Sequence, residues 1–215
     1  KDLNKEINFI FSSSATVYGD PKILPITESE PIKKAESPYG NTKQIGEEII
    51  KDLVNSSSNF NAISLRYFNP IGAHPSALIG ELPIGIPQNL VPYITQTAIG
   101  KRNELTVFGD NYLTRDGSCI RDYIHVVDLA KAHIKSLEKL IKESSKNYYD
   151  AFNIGTGKGT SVLELISCFE SVSGKKLNFR IGERRKGDIA KCFADVSKAN
   201  ELLNWKSKHS IEDAL

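Results

Sequence analysis

Two apolar strands separated by one helix-length segment constrain this chain more than any other feature. Phe9-Ile10-Phe11 is a continuous apolar run, the pattern of a strand buried on both faces of a sheet. Ala62-Ile63-Ser64-Leu65-Arg66-Tyr67-Phe68 is a second strand. Between them, Pro21 to Pro38 reads as a surface loop from its breakers. Tyr39 to Val54 then reads as a helix whose apolar face is Ile45, Ile49 and Leu53. Strand, helix and strand joined by a helix-length crossover form a βαβ unit, so the two strands are expected to be parallel.

After Asn69-Pro70 the character changes. Pro70, Pro75, Pro83 and Pro87 fall within one glycine-containing stretch, which predicts an irregular excursion. Helical patterns recur at Gln88–Ile99, Val127–Glu143 and Ser161–Val172. Short strands are expected at Leu105–Phe108, Ala151–Ile154 and Lys176–Ile181. Ile211 to Leu215 is a helical pattern that stops after one turn.

The bulk numbers exclude several classes of function. A net charge of +2 is too small to argue for nucleic acid or an anionic membrane, and neither is expected as a partner. Cys119, Cys168 and Cys192 form no close pair, which suggests free thiols in a reducing, cytoplasmic setting. No apolar run reaches the roughly 18 residues of a membrane span. Lys1 to Lys5 resembles no leader, and methionine is absent throughout. These features read as an internal piece of a longer protein. His74, His125, His133 and His209 lack ligand spacing, and no metal site is expected. Gly155-Thr156-Gly157-Lys158-Gly159-Thr160 misses the spacing of a phosphate loop, while Ser161 with Glu164 predicts a capping box.

In an open parallel sheet, ligands sit beyond the carboxyl ends of the strands. Ser12-Ser13-Ser14-Ala15-Thr16 stands at that place after the first strand. A serine-rich turn that satisfies its own backbone is an equally simple reading of it. Tyr39-Gly40-Asn41-Thr42-Lys43 changes the weighting. Residues at i and i+4 share a helix face, and an ammonium near a phenol favours the phenolate. Such a tyrosine is expected to exchange a proton with a sugar hydroxyl that Ser14 orients.

The serine cluster and the Tyr-x-x-x-Lys pair together resemble the extended short-chain dehydrogenase/reductase superfamily. Further motifs narrow the resemblance to the UDP-glucose 4-epimerase family. They are Arg66-Tyr67-Phe68-Asn69-Pro70-Ile71-Gly72-Ala73-His74-Pro75-Ser76, Gly85-Ile86-Pro87-Gln88-Asn89-Leu90, Arg121-Asp122-Tyr123-Ile124-His125-Val126-Val127-Asp128 and Asn153-Ile154-Gly155-Thr156-Gly157. The likeness runs from Phe9 to Trp205. It implies the remainder of a Rossmann-type, doubly wound parallel sheet over 1–69, and a smaller mixed α/β substrate domain over 70–215 with segments returning to the sheet. The glycine-rich turn that holds the cofactor pyrophosphate would lie upstream, so the chain alone is expected neither to hold NAD nor to turn over.

By this resemblance Tyr39 is the acid/base, Lys43 its partner on the cofactor ribose, and Ser14 the hydroxyl on the sugar O4. Thr16 is a second substrate hydroxyl, and Phe68 lies against the nicotinamide of NAD. Asn69 and Asn89 reach the diphosphate, and Leu90 is a further substrate-binding residue. Thr106, Val107 and Phe108 flank uracil, Arg121 and Arg185 clamp the pyrophosphate, and Asp188 bonds the UDP ribose. Cys192 falls beside the sugar C2 substituent, where its small size would leave room for an N-acetyl group; a small core cysteine is the plainer reading. A homodimer is also implied.

The implied reaction, part of galactose metabolism, oxidises C4 of a UDP-hexose with NAD, rotates the 4-ketose and reduces its other face. The 4,6-dehydratases of the superfamily carry an Asp-Glu pair where this chain has Ala15-Thr16, so dehydration is disfavoured. A non-catalytic nucleotide-sugar binder is disfavoured by the intact Ser14, Tyr39 and Lys43.

Overall fold

A computed structural model of the chain describes residues 5–143 and 145–215. Residues 1–4, most of the opening segment read above as unlike a leader, lie outside them. The elements in order are β1 (Ile7–Ser14), α1 (Pro38–Ser56), β2 (Phe60–Tyr67), β3 (Asn69–Ile71) and α2 (Leu90–Ala98). Next come β4 (Leu105–Phe108), β5 (Ile120–Arg121), β6 (Tyr123–His125), α3 (Val126–Lys142), β7 (Tyr149–Ile154) and β8 (Thr160–Ser161). The series closes with α4 (Val162–Ser173), β9 (Phe179–Gly182), β10 (Lys191–Cys192), α5 (Ser197–Leu202) and α6 (Ile211–Ala214). A single 3-10 turn, Ala15–Tyr18, follows β1.

The principal sheet runs β1-β2-β7 with every pairing parallel. The βαβ expectation therefore holds, and β7 returns from far along the chain to the free side of β2. Because β2 is central, its residues are buried on both faces. Ile63 and Leu65 join Phe152, Ile154, Leu129, Leu140 and Trp205 on the α3 side. Phe60 and Ala62 join Ile50 and Val54 on the α1 side. β1 departs from the both-faces-buried expectation, since Phe9 is 41% exposed. Among the described residues β1 pairs only with β2, so its other edge is joined to no strand.

α1 shows a larger difference. Its side toward the sheet carries Gly40, Glu47, Ile50 and Val54, all buried. The predicted face of Ile45, Ile49 and Leu53 points to solvent, with Ile49 61% exposed. The periodicity was misleading because the buried stripe contains a charged residue and a glycine in place of apolar side chains. Gly46 allows the close approach: a Cβ there would stand 2.5 Å from Phe11 Cζ.

A second core lies between α2, α4, α6 and the β4–β9 pair, built on Ile94, Leu105, Val107, Tyr123, Leu165 and Phe169. The Ser161–Glu164 capping box that opens α4 forms as expected. Asp122 ties the two regions together. Its buried carboxylate accepts from the amides of Thr156, Gly157 and Ala194 and from the Thr156 hydroxyl. Burial pushes this carboxyl above its ordinary range, and the four donors oppose that shift. His125 caps α3 through Nδ1 and stacks on His209 at 4.3 Å between ring centroids. Among the described residues no helix is long and apolar enough to cross a membrane, and no cluster of three metal-ligating side chains occurs.

Candidate active site

β1 delivers its serines at the carboxyl edge of the sheet. Ser14 is buried, and its hydroxyl accepts from the Thr16 amide, capping the 3-10 turn. The turn-forming reading of this serine is therefore met. Ala15 is buried in a cluster with Val17, Tyr18, Ile26, Phe68 and Ala194, whereas Thr16 is exposed.

α1 starts one residue before the predicted Tyr39, with Ser37 as N-cap and Pro38 as its first residue. Its first turn packs on the 3-10 turn, since a Cβ at Gly40 would stand 3.3 Å from the Thr16 carbonyl. Gln44 adds a bond from Nε2 to the Val17 carbonyl at 2.9 Å. Tyr39 is thereby presented at the strand end, 53% exposed. Lys43 donates to the Ser12 carbonyl at 2.8 Å and lies 5.3 Å from the Tyr39 ring centroid. An ammonium has three donors, so one bond to Ser12 leaves others for a diol. An exposed phenol beside such an ammonium, at the carboxyl ends of parallel strands, fits the ribose end of a dinucleotide. Phe68, the predicted nicotinamide neighbour, is a core residue directly after β2; this fits its structural reading, and its ring does not line the cleft described next.

A cleft of about 550 Å³ opens beside the second core. Asn69, Asn89, Leu90, Thr106, Val107, Phe108, Arg121, Arg185 and Asp188 all line it. These residues are up to 119 positions apart in the chain (188 − 69), and the fold brings them to one surface. Asn89 is the N-cap of α2, yet its side chain makes no capping bond and instead donates to Glu81. Asn89 and Leu90 line the cleft, so the start of α2, the positive end of its dipole, borders it.

Two of the predicted clamp residues are engaged with protein groups. Arg121 pairs with Asp188 and donates to the Ile120 and Ile189 carbonyls. Arg185 stacks on Phe108, its guanidinium carbon 3.9 Å from the ring centroid. One face of the Phe108 ring, the ring expected to lie against uracil, is covered by that guanidinium. Ligand binding at this face would require Arg185 to move. Sequence reasoning also missed Tyr93, Arg102 and Glu104 in the same lining. Arg102 lies 4.5 Å over the Tyr93 ring, an arrangement with no motif to announce it.

Cys192 joins the two places. In register it stands opposite Arg121 across the β5–β10 pair, and it packs against the cluster that holds Ala15 and Phe68. Burial pushes its thiol up to about 11, so near neutral pH it is a small, uncharged group.

The sheet, the strand-end hydroxyls and the cleft were compared with known proteins. The family model described as GDP-mannose 4,6 dehydratase matches residues 1–215. A UDP-glucose 4-epimerase of Bacillus subtilis (strain 168) is 53% identical over 204 residues, 95% of this chain and 59% of that protein. A crystal structure of UDP-glucose-4-epimerase from Stenotrophomonas maltophila, with bound NAD and formylated UDP-arabinopyranose, is 48% identical at a TM-score of 0.92. That match covers 97% of this chain and 61% of that one. The Bifidobacterium longum UDP-glucose 4-epimerase in complex with NAD+ and UDP is 48% identical at a TM-score of 0.89, over the same shares. The chain thus spans about three-fifths of the length of the relatives it matches.

Proposed function

The chain belongs to the GDP-mannose 4,6 dehydratase family, and from that membership we propose that it carries the proton-transfer and nucleotide-sugar part of an NAD-dependent UDP-hexose 4-epimerase. The observation that carries this reading is Tyr39, exposed beside Lys43 at the end of β1, with Lys43 held on the Ser12 carbonyl. The similarity to UDP-glucose 4-epimerases, two of them solved with NAD, supports it. Dehydration, which the family name suggests, needs an acid and a base near C5 and C6. Ala15 is a buried methyl and Thr16 an exposed hydroxyl, so neither side chain suits that task.

Tyr39 and Lys43 would hold the nicotinamide ribose, with Phe68 nearby in the core; bound NAD would supply reversible hydride acceptance at hexose C4. Tyr39 removes the O4 proton and later restores it. Ser14 accepts and donates at the same oxygen. Lys43 supplies positive charge beside the phenol. The cleft residues hold UDP through base, ribose and diphosphate, and leave the hexose free to present either face. Conversion of UDP-galactose to UDP-glucose by the whole protein is the test. Absence of turnover with NAD bound would favour a nucleotide-sugar binder.

The place of this activity is galactose metabolism in the cytoplasm, a reading that rests on the relatives and on the free thiols. Cys192 extends the substrate range to UDP-N-acetylhexosamines, because a tyrosine there would fill the space a thiol leaves. Cys192→Tyr is expected to lower turnover of UDP-N-acetylgalactosamine by about 10–100-fold, the scale of a steric pocket effect. Turnover of UDP-galactose should stay within about threefold. Equal loss of both would sink the gating idea.

The solvent-facing stripe of Ile45, Ile49 and Leu53 supports a homodimer through α1. Ile49→Lys is expected to halve the mass seen in sedimentation. An unchanged mass would remove α1 from the interface.

A further inference from the structure

Glu47 is completely buried on the catalytic helix, one turn beyond Lys43. Tyr39, Lys43 and Glu47 follow one another at i, i+4 and i+8, so they run along one side of α1. Glu47 Oε1 accepts from the Ser13 hydroxyl at 2.5 Å and from Arg66 Nε at 2.8 Å. Arg66 Nη2 donates to Oε2 at 2.5 Å. Arg66 Nη1 reaches the Tyr18 hydroxyl at 3.1 Å, and Tyr18 donates to Asn153 Oδ1 at 2.6 Å.

These residues form one polar layer across the sheet. Ser13 on β1 is the register partner of Arg66 on β2, and Arg66 is the register partner of Asn153 on β7. All three strands therefore contribute at the same level, and Glu47 closes the layer from above. The layer lies one residue before Ser14. Below it the same face is mostly apolar, with Phe11 against Gly46 and with Phe60 and Ala62 against α1; its one buried polar group, Ser64, accepts from the Tyr149 hydroxyl on β7 and not from α1.

A buried ion pair is a poor source of net stability, since well-packed apolar side chains of similar volume commonly do as well. Apolar contacts tolerate small slides of a helix along a sheet. Directed bonds from one carboxylate to a strand hydroxyl and to a fork-shaped guanidinium do not. We propose that Glu47, held by Arg66 and bonded to Ser13, is a positioning residue for the proton-transfer site. It fixes α1 against the end of β1, so that Lys43 stays on the Ser12 carbonyl and Tyr39 stays at the strand end. The assignment rests on the reading of Tyr39, Lys43 and Ser14 as the reacting groups.

The experiment uses the whole protein with Glu47→Gln, and with Ser13→Ala in case the first variant folds poorly. Steady-state kinetics are joined to hydrogen–deuterium exchange of the peptides covering α1. Glu47→Gln is expected to lower kcat for UDP-hexose epimerisation by about 100-fold, the scale of a small misplacement of reacting groups. Ser13→Ala, which removes one bond, should lower it about tenfold. KM should stay within about twofold, because the UDP cleft is built from other elements. Exchange should quicken in the first half of α1 and not in β4 or β9. Unchanged kcat in both variants would overturn the proposal. So would losses that follow a general rise in exchange and a matching change in KM, which mark a merely structural role. Should the wild type not epimerise, the functional reading fails and the exchange pattern alone decides whether this layer positions α1.

Discussion

Tyr39→Phe lowers UDP-galactose turnover by the whole protein by about 10²–10⁴-fold, the range for loss of a general acid/base. The substitution removes one oxygen and keeps the ring. Tyr39 is 53% exposed and belongs to no core cluster, so melting should move little. Lys43 keeps its bond to the Ser12 carbonyl, which does not involve the phenol. Because O4 can no longer give up its proton to the phenol, kcat should fall while KM for the UDP-hexose changes little. Activity within about threefold of wild type would remove Tyr39 from the acid/base role.

Arg66→Ala is the most destabilising single change expected away from the reacting atoms. It strands the Glu47 carboxylate, fully buried, with only the Ser13 hydroxyl among the bonds described for it. Removing one member of a buried pair costs about 3–5 kcal/mol. Urea unfolding of the whole protein measures it, and a loss below about 1 kcal/mol would contradict the argument. Replacing both members, Glu47→Leu with Arg66→Met, should come close to neutral in stability, because neither charge is then left alone. The pair also sets a pH dependence. Burial pushes Glu47 up, but the hydrogen bonds and charge of Arg66 outweigh it and hold the carboxyl below its ordinary range. A depressed carboxylate contributes stability that is present above its unfolded value of about 4.3 and is lost as pH falls through the folded value. Acid should therefore destabilise the wild type more than the Leu/Met variant. Equal acid sensitivity of the two would show that the pair contributes little to it.

The sequence by itself determined the βαβ unit, the places of most helices and of five of the ten strands among the described residues to within a few residues, and the Tyr39–Lys43 pair. Each of these rests on local rules of periodicity, breakers and helix spacing. The family likeness added Asn69, Asn89, Thr106, Arg121, Arg185 and Asp188, and the fold brings them around one cleft. Tertiary structure alone decided which face of α1 is buried. Ile45, Ile49 and Leu53 look like the inner stripe by periodicity, yet the inner stripe holds Glu47. No local rule assigns a charged residue to a core, because its partners come from Ser13 and Arg66, 34 and 19 positions away. The same holds for Asp122, whose donors come from the loop after β7 and from Ala194. It also holds for Arg185 on Phe108 and for Arg121 on Asp188. Burying a charge is tolerable only once its partners are assembled, and that assembly is a property of the folded chain.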